Sequence, residues 1–460
     1  MPDIDSAALA AFRSEFAGEV ILPGDPGYDA ARVVWNGMID RRPAIVARPT
    51  GAADVISSVR FARERELLVS VRSGGHSVAG YSTCDGGIVI DLSRMRGVRV
   101  DPDTRTARAN GGALLAELDR EAQAFGLVCP VGVVSHTGIA GLTLGGGMGR
   151  LMRRFGLTID NLLSVDLVTS DGRLVHTSEN DNADLFWGMR GAGPNFGIVT
   201  SFEFRLHPLD PVVTFGHVVY PIERVHDAVA LYRDFVDSSP DDVFGAFSLG
   251  RALREGDFPP GVAGRPVVDL GGMHCGDPEE GERRLSPLGS LGNPVTNTIA
   301  PQPYLAVQRE SDEALGWGRR FYMKSGFTPS LPDELVDAAV DAVADAPGDC
   351  SFGVWSWGRA IAEVPDDAMA FTGREAAFYV GVEMFWDHPA ADDAHRTWGR
   401  NLMASIAPFT MEGRYVNDAI ESGEDIVRSI YGDRKYDRLV ALKRRWDPDN
   451  VFRLNQNIAP

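Results

Sequence analysis

The sequence predicts an α+β fold built in two parts. Up to about Pro208, short apolar runs with strand composition alternate with helical stretches, which is the pattern of an α/β unit. Between Val212 and about Met411, strands alternate with helical stretches in a way typical of a sheet with helices on one face. We therefore predict domains over residues 1–208 (core about 39–208) and 209–411, with a closing segment, 412–460, that returns to the first.

The elements of the first part are predicted from apolar periodicity and from the turn residues that interrupt it. They are, in order, a helix around Ser6 to Phe16, a strand in Pro43–Pro49, a helix from Ala52 to Arg65, strands in Leu67–Val71 and Ile88–Leu92, and a strand within 155–172.

The second part is predicted from longer runs of β-branched and aromatic residues. Its clearest strands are Val213–Tyr220 and Phe378–Trp386, and its clearest helices are His226–Val236 and Pro332–Ala344.

Composition limits the function classes. The chain has 45 lysines and arginines against 64 aspartates and glutamates, a formal charge of −19, which argues against nucleic acid and anionic membranes as partners. The four cysteines lack any CxxC or Cys/His ligand spacing, so we expect neither a disulfide framework nor a metal site. The N-terminus resembles no signal peptide and no run is long enough to span a bilayer, so we expect a soluble cytoplasmic protein, monomeric or homodimeric.

One histidine lies in a glycine-rich loop between two predicted strands. The loop reads Arg72-Ser73-Gly74-Gly75-His76-Ser77. Glycine lets the backbone approach a ligand closely, and successive N–H groups in such a turn form an anion site. Taken alone, the loop is equally consistent with an ordinary turn that carries a surface histidine.

A second segment, 133–150, is unusually rich in glycine and small residues, and Gly193–Thr200 follows with a similar composition. Each glycine inside a helix costs roughly 1 kcal/mol relative to alanine. We therefore expect a large flat group to pack against this backbone.

These stretches, with the closing run Tyr436–Ile458, resemble the FAD-linked oxidases of the vanillyl-alcohol oxidase/p-cresol methylhydroxylase superfamily, in the berberine-bridge-enzyme-like branch. The resemblance covers nearly the whole chain. It implies a two-part FAD-binding domain of the PCMH type and an α+β substrate domain with a large antiparallel sheet.

The resemblance also implies where the cofactor lies. FAD would be attached covalently to His76 through its 8α-methyl carbon, the loop 72–77 would wrap the pyrophosphate, and 138–149 would line the isoalloxazine ring. The implied FAD-binding residues are Arg72, Ser73, Gly74, Gly75, His76, Ser77, Gly80, Tyr81, Val134, Thr137, Gly138, Gly141, Leu142, Thr143, Gly147, Gly149, Gly197, Val199 and Asn455.

Many relatives hold FAD a second time, through a cysteine eleven residues before the first glycine of the GGG run. That position is Val134 here, and Cys129 lies five residues further upstream. We therefore predict attachment through His76 only and interpret Cys129 as a small buried residue.

The chemistry implied is hydride transfer from an alcohol or amine to FAD, with O2 as the electron acceptor and hydrogen peroxide as product. A base must also remove the substrate proton. Tyr415, whose pKa would have to fall from about 10, is the first candidate, Glu383 the second, and Asn417 lies in the same region. Thr137 would lie where oxygen approaches, although a threonine bonded to its own backbone fits equally well.

The substrate is expected between the sheet and the flavin, because ligand sites favour domain interfaces. We predict aromatic walls from Trp355 and Trp357, placed on one strand face, and from Tyr322 and Phe385, with core packing as the alternative for each. The resemblance implies that a single flavin link favours a secondary metabolite or N-heterocycle over an oligosaccharide. Gly373, where relatives often carry histidine, departs from the family's pattern on the substrate side only.

Other functions stay open. A flavin-dependent dehydrogenase or carbohydrate oxidase of the same fold is the nearest alternative, and a non-catalytic flavin or ligand-binding protein is a further one. A nicotinamide-dependent dehydrogenase is disfavoured, because no GxGxxG lies between a strand and a helix with an acidic residue about 20 positions on.

Overall fold

The computed structural model describes residues 5–252, 258–259 and 261–460 and confirms the α+β architecture. The strands, numbered in chain order, are β1 Glu19–Ile21, β2 Ile45–Arg48, β3 Val69–Arg72, β4 Ile88–Asp91, β5 Val98–Asp101, β6 Thr106–Asn110, β7 Leu127–Val128, β8 Leu162–Val168, β9 Leu174–Ser178, β10 Ile198–Arg205, β11 His207–Pro208, β12 Val212–Pro221, β13 Val243–Arg251, β14 Pro266–His274, β15 Thr296–Asn297, β16 Ala300–Pro303, β17 Arg320–Thr328, β18 Asp349–Ser356 and β19 Phe378–Trp386.

The helices fall between these strands and at the end of the chain. They are α1 Ser6–Glu15, α2 Tyr28–Arg32, α3 Ala52–Glu64, α4 Leu115–Gln123, α5 Ile139–Gly145, α6 Met152–Phe155, α7 Ala183–Ala192, α8 Val225–Ser238, α9 Pro278–Leu285, α10 Tyr304–Val307, α11 Asp333–Ala344, α12 Ala360–Glu363, α13 Asp392–Ile406 and α14 Glu424–Trp446.

The first part contains two main sheets. One has the order β1-β2-β4-β3, in which β2, β4 and β3 run parallel and β1 antiparallel. The other is antiparallel with the order β5-β6-β10-β8-β9. The predicted helices and strands of this part all occur within a few residues of their expected bounds, because their apolar runs are strongly patterned.

The second part is a large antiparallel sheet of order β15-β12-β14-β13-β18-β19-β17, with β16 also paired to β12. Helices α8, α11 and α13 cover one face. Strand β19 shows the division: Val380, Val382 and Met384 are buried in the core beneath the helices, whereas Tyr379 and Glu383 face the opposite side. That opposite face is directed towards the first part.

Helix α14 and the residues after it pack against the first part. Buried side chains of α14, such as Leu439 and Leu442, share one core with the β5–β10 sheet. Lys443 is fully buried and its Nζ donates to Asp447 Oδ2 (2.7 Å) and to the carbonyls of Asn195 and Phe452 (2.9 Å each). This buried pair fixes the closing segment beside the 193–197 turn. In the described part of the chain, no helix is long and apolar enough to cross a membrane.

Candidate active site

A cavity of about 670 Å³ lies between the glycine-rich loops of the first part and the uncovered face of the large sheet. Three segments that are distant in sequence line it together: the 73–79 loop, the 132–145 region and the 452–456 stretch. The fold therefore brings together the motifs that the sequence analysis selected.

The 73–77 loop follows directly from β3 and presents its backbone to the cavity. Gly74 and Gly75 are buried, yet no backbone or side-chain acceptor in the described ranges pairs with the N–H groups from Gly74 to Ser77. Unpaired buried donors cost free energy unless a ligand satisfies them. The loop thus has the chemistry of an anion cradle that a pyrophosphate would fill.

His76 lies at the end of this loop and also lines the cavity. Its ring stacks on Trp35, with ring centroids 5.0 Å apart and planes inclined by 19°. Its Nε2 is 2.7 Å from Nδ1 of His136. Burial, and secondarily the neighbouring His136, lowers the pKa of His76 to about 3, so its imidazole is neutral and keeps a nucleophilic lone pair.

Three glycines of the second segment are in close contact with other parts of the protein. A Cβ on Gly145 would lie 2.1 Å from Asn417 Oδ1, one on Gly147 would lie 2.2 Å from Thr158 Oγ1, and one on Gly149 would lie 1.8 Å from the Val131 carbonyl. These contacts within the protein exclude a side chain at all three positions, and Gly145 also lines the cavity, so a flat ligand packed on this segment stays a prediction.

Gly141 is the exception in this segment. A Cβ there would meet no atom of the described residues within 4 Å, and the residue lines the cavity. Gly74 and Gly138 meet backbone to backbone, since a Cβ on Gly74 would lie 2.1 Å from the Gly138 nitrogen. The small residues therefore allow close packing of backbone segments against each other. At Gly141 they leave a stretch of backbone that is open to the cavity.

Most residues expected at FAD line the cavity. They are Ser73, Gly74, Gly75, His76, Ser77, Tyr81, Val134, Thr137, Gly138, Gly141, Leu142, Gly197, Val199 and Asn455.

Five residues expected at FAD lie outside the lining, each for a packing reason. The Arg72 guanidinium donates to the Ala31 carbonyl (2.7 Å), Gly80 packs on Ile39, and Thr143 is fully buried, while Gly147 and Gly149 are occupied as described above.

The closing segment adds one ligand group, Gln456, that the sequence analysis did not select. Gln456 lines the cavity beside Asn455, and both side-chain amide oxygens are buried without a hydrogen-bond partner in the part of the chain that the structure describes. Together with the free N–H groups of the 74–77 loop and with the open backbone at Gly141, these atoms fit a long, polar cofactor such as FAD. Only the folded chain brings residue 456 to the 73–77 loop.

The cysteine positions agree with the predicted spacing. Val134 lines the cavity, whereas Cys129 is fully buried in the core of the β5–β10 sheet. Burial raises the pKa of the Cys129 thiol well above its ordinary value.

The sheet side of the cavity carries two carboxyls with altered acidity. Glu383 faces the cavity from β19, and desolvation, with the nearby charges of Asp418 and Asp349, raises its pKa to about 7. Burial raises the pKa of Asp418 to about 6, although hydroxyl contacts from Tyr379 and Ser325 act in the opposite direction. Tyr379 Oη donates to Asp418 Oδ2 at 2.6 Å. Asp418 and Tyr379 were missed in the sequence because neither belongs to a local motif.

Tyr415 also lines the cavity, but its acidity differs from what a base requires. Its hydroxyl accepts hydrogen bonds from the Gly147 N–H (2.9 Å) and Asn417 Nδ2 (3.0 Å). Burial, with the charge of Asp418, raises the pKa of Tyr415 to about 12, whereas the sequence analysis required a fall. Asn417 is held by its bonds to Tyr415 and to the Leu142 carbonyl, and it lines the cavity.

Only one of the four predicted aromatic walls lines the cavity. Trp355 does, whereas β18 ends at Ser356, so Trp357 leaves the strand face and is buried against Phe327. Tyr322 lies on the helix-covered face of β17, where Arg400 lies over its ring. Phe385 packs on Phe321 and Trp35, which themselves line the cavity.

Comparisons with known proteins identify the family. Residues 43–178 match the model of the FAD binding domain, and residues 414–459 match the model described as berberine and berberine like. The chain is 31% identical over 464 residues to the (R)-6-hydroxynicotine oxidase of Paenarthrobacter nicotinovorans, covering 96% of this chain and 97% of that protein. The chain belongs to the berberine-bridge-enzyme-like branch of the PCMH-type FAD-linked enzymes. It is an FAD-dependent oxidoreductase.

Solved structures agree with this assignment. The crystal structure of 6-hydroxy-D-nicotine oxidase from Arthrobacter nicotinovorans has a TM-score of 0.85 and 30% identity, with coverage of 97% of this chain and 98% of that chain. A xylooligosaccharide oxidase from Myceliophthora thermophila C1, solved with xylobiose, has a TM-score of 0.85 at 24% identity, with coverage of 99% of each chain. The second likeness shows the shared fold alone.

Proposed function

We propose that this protein is an oxidase that removes a hydride from a C–H bond of an alcohol or amine of the secondary-metabolite or N-heterocycle type. FAD bound in the cavity would supply the hydride acceptor and would be reoxidised by O2 to give hydrogen peroxide. The observation that carries the proposal is the position of His76, the 74–77 donors and two carboxyls of altered acidity around one cavity.

His76 is proposed as the only covalent attachment point. Its neutral ring lies in the cavity, and the hydrogen bond to His136 orients it, leaving one ring nitrogen free. Val134, at the position of the second attachment in many relatives, has no nucleophile, and Cys129 is separated from the cavity by burial. The N–H groups of Gly74 to Ser77 would bind the pyrophosphate, and Gln456 and Asn455 would bind polar parts of the same cofactor.

The proton acceptor is proposed to be the Glu383 and Asp418 pair rather than Tyr415. At neutral pH a carboxyl with a pKa of about 6 is mostly ionised, so Asp418 can accept a proton directly or through the Tyr379 hydroxyl at 2.6 Å. A phenol with a pKa of about 12 is protonated under the same conditions. Tyr415 and Asn417 would instead fix the backbone around Gly145 and Gly147.

The proposal is tested on the purified protein in two steps. After acid precipitation, a yellow pellet and a flavin mass on the peptide that contains His76 are expected; flavin in the supernatant, or a second link at Cys129, would contradict the attachment. Peroxide is then measured with a panel of cyclic amines, alcohols and oligosaccharides that includes 6-hydroxynicotine and xylobiose. Reduction of the flavin by a substrate without peroxide release would indicate a dehydrogenase instead.

A further inference from the structure

The cavity face of the large sheet forms a trough with a polar group at each end. Register places five residues in one row across the strands, in the order His217, Gly271, Ala246, Trp355 and Tyr379. The row crosses four strand spacings, roughly 19 Å. The trough is deepest in the middle of the row, because Gly271 has no side chain and Ala246 has only a methyl group.

The end of the trough at His217 carries a polar cluster that the proposed chemistry does not use. His217 Nδ1 lies 3.0 Å from Asp269 Oδ2, which fixes the ring. Among the residues that the structure describes, His217 Nε2 has no hydrogen-bond partner, and Glu310 Oε1 lies 3.8 Å from it. This distance is too long for a hydrogen bond.

Glu310 is held in place from its other oxygen. Its Oε2 accepts from Arg150 Nη2 (3.0 Å) and from Ser311 Oγ (3.1 Å). Arg150 is itself anchored on the Val307 carbonyl (3.2 Å) and lies over the Phe215 ring. Glu310 Oε2 thus has its hydrogen bonds, whereas Oε1 is directed towards His217. The positive charges of Arg150 and His217 balance the carboxylates of Glu310 and Asp269, so the cluster is close to neutral.

His217 Nε2–H is a donor and Glu310 Oε1 is an acceptor, and one hydroxyl group placed between them can bond to both. The Asp269 carboxylate accepts from Nδ1–H, so an Nε2–H donor requires the imidazolium form of His217. Desolvation lowers the pKa of His217, but Asp269 and Glu310 raise it by more, which favours that form. A hydroxyl oxygen then accepts from Nε2–H and its proton donates to Glu310 Oε1, after a small outward shift of the half-exposed Glu310 side chain. The neighbouring walls are aromatic: Phe244 and Trp355 both line the cavity, with ring centroids 5.4 Å apart and nearly perpendicular planes. Such walls favour a flat ring.

We propose that His217 and Glu310 form a recognition site for the hydroxyl of a hydroxylated aromatic ring, at the opposite end of the trough from the Tyr379–Asp418 pair. The site deepens the proposed function, on which it rests, by naming a substrate feature: an amine or alcohol that also carries a ring hydroxyl. A site built to bond a hydroxyl rejects the analogue that lacks it, since the polar groups would be left unpaired.

The test is calorimetric titration of the protein as purified with phenol and with toluene, which has a methyl group in place of the hydroxyl. We expect phenol to bind at least tenfold more tightly than toluene. His217→Ala should reduce this ratio below threefold, and His217→Gln, which keeps an N–H donor, should retain part of it. The matched control is His176→Ala, because His176 forms a similar pair with Asp166 (2.8 Å) outside the cavity.

Equal binding of phenol and toluene, no phenol binding, or an unchanged ratio in a folded His217→Ala variant would each overturn the recognition site. These outcomes are separate from flavin content and peroxide release, which are scored on the same preparation and test the proposed oxidase. If 6-hydroxynicotine is oxidised, its KM should be at least tenfold below that of nicotine. His217→Ala should raise that KM and change kcat less than threefold.

Discussion

His76 and His136 illustrate how a single contact sets the chemistry of a residue. The 2.7 Å contact between Nε2 of His76 and Nδ1 of His136 is a hydrogen bond whose donor depends on the tautomers, and attachment at His76 Nδ1 requires the form in which His76 Nε2–H donates to His136. Formation of a bond at His76 Nδ1 would make the ring cationic, and His136 is then in place to take the Nε2 proton. His136 is therefore expected to control attachment rather than cofactor affinity.

The first prediction follows for His136. His136→Ala should slow covalent flavin incorporation into apoprotein at least tenfold, measured as flavin fluorescence on denaturing gels over time. His136→Asn, which retains an acceptor near the position of Nδ1, should be less affected. Equal incorporation rates in wild type and His136→Ala would show that the contact only packs the ring.

The second prediction concerns the pH dependence of flavin reduction by substrate. The pKa values of about 7 for Glu383 and about 6 for Asp418 are raised above their ordinary values, so the groups are protonated in acid and ionised above neutrality. The reduction rate should therefore rise with pH through this range. In Asp418→Asn the reduction rate, measured by stopped-flow absorbance, should fall at least 100-fold. Its pH profile should lose the lower of the two inflections. In Tyr415→Phe the inflections should stay in place; a shifted profile there would restore Tyr415 as the base.

At the scale of elements, the glycines of α5 and of the turn after it have two kinds of surroundings: some pack against other parts of the protein, and one faces the open cavity. Gly149 packs its Cα against the Val131 carbonyl, while Gly141 faces open space. Sequence alone presents both as parts of one glycine-rich motif. Only the packed structure shows which contact each one makes.

The third prediction uses this difference. Gly149→Ala should destabilise the protein by about 1–3 kcal/mol through overpacking against backbone. Gly141→Ala should keep the stability of the apoprotein or raise it, since alanine favours the helix by roughly 1 kcal/mol. It should lower flavin content, however, because the added methyl group enters the cavity. Urea unfolding and flavin absorbance per mole of protein distinguish the two; similar flavin loss in both variants would contradict the assignment.

The sequence predicted the elements and the FAD side of the site better than the substrate side. The 72–77 loop and the 133–150 segment are local motifs whose composition is informative by itself. Asp418, Tyr379 and His217 have no such motif, because strand register and the return of the chain bring them together. Trp357 and Tyr322 were misplaced since the end of β18 and the face of β17 are fixed by tertiary packing.

At the scale of the whole molecule, the closing segment joins the two sides of the cavity. Lys443 and Asp447 are both fully buried and hold the 447–452 backbone, with Asp447 Oδ1 accepting from the Val451 N–H (2.8 Å). Residues 452–456 continue from this anchor into the cavity wall. The domain boundaries at 208 and 411, the cytoplasmic location and a monomeric or homodimeric state stay predictions.

The fourth prediction tests this anchor. Lys443→Met should lower the free energy of unfolding by about 3–5 kcal/mol, because it leaves the Asp447 carboxylate buried without its cation. Arg445→Met, two residues away on the same helix, removes the exposed pair with Asp184 and the contact of the guanidinium with the Trp446 ring, and should cost at most about 1 kcal/mol. Urea unfolding measures both. A loss in Lys443→Met no larger than that in Arg445→Met would show that the buried pair does not hold the closing segment.

The position of residues 452–456 also sets an order of events during biosynthesis. The ribosome completes the glycine loops, which end at Gly145, about 300 residues before the 452–456 stretch that closes the cavity around Asn455 and Gln456. The large sheet, which ends at Trp386, is complete about 66 residues before that stretch. Enclosure of the cofactor must therefore follow translation of nearly the whole sequence.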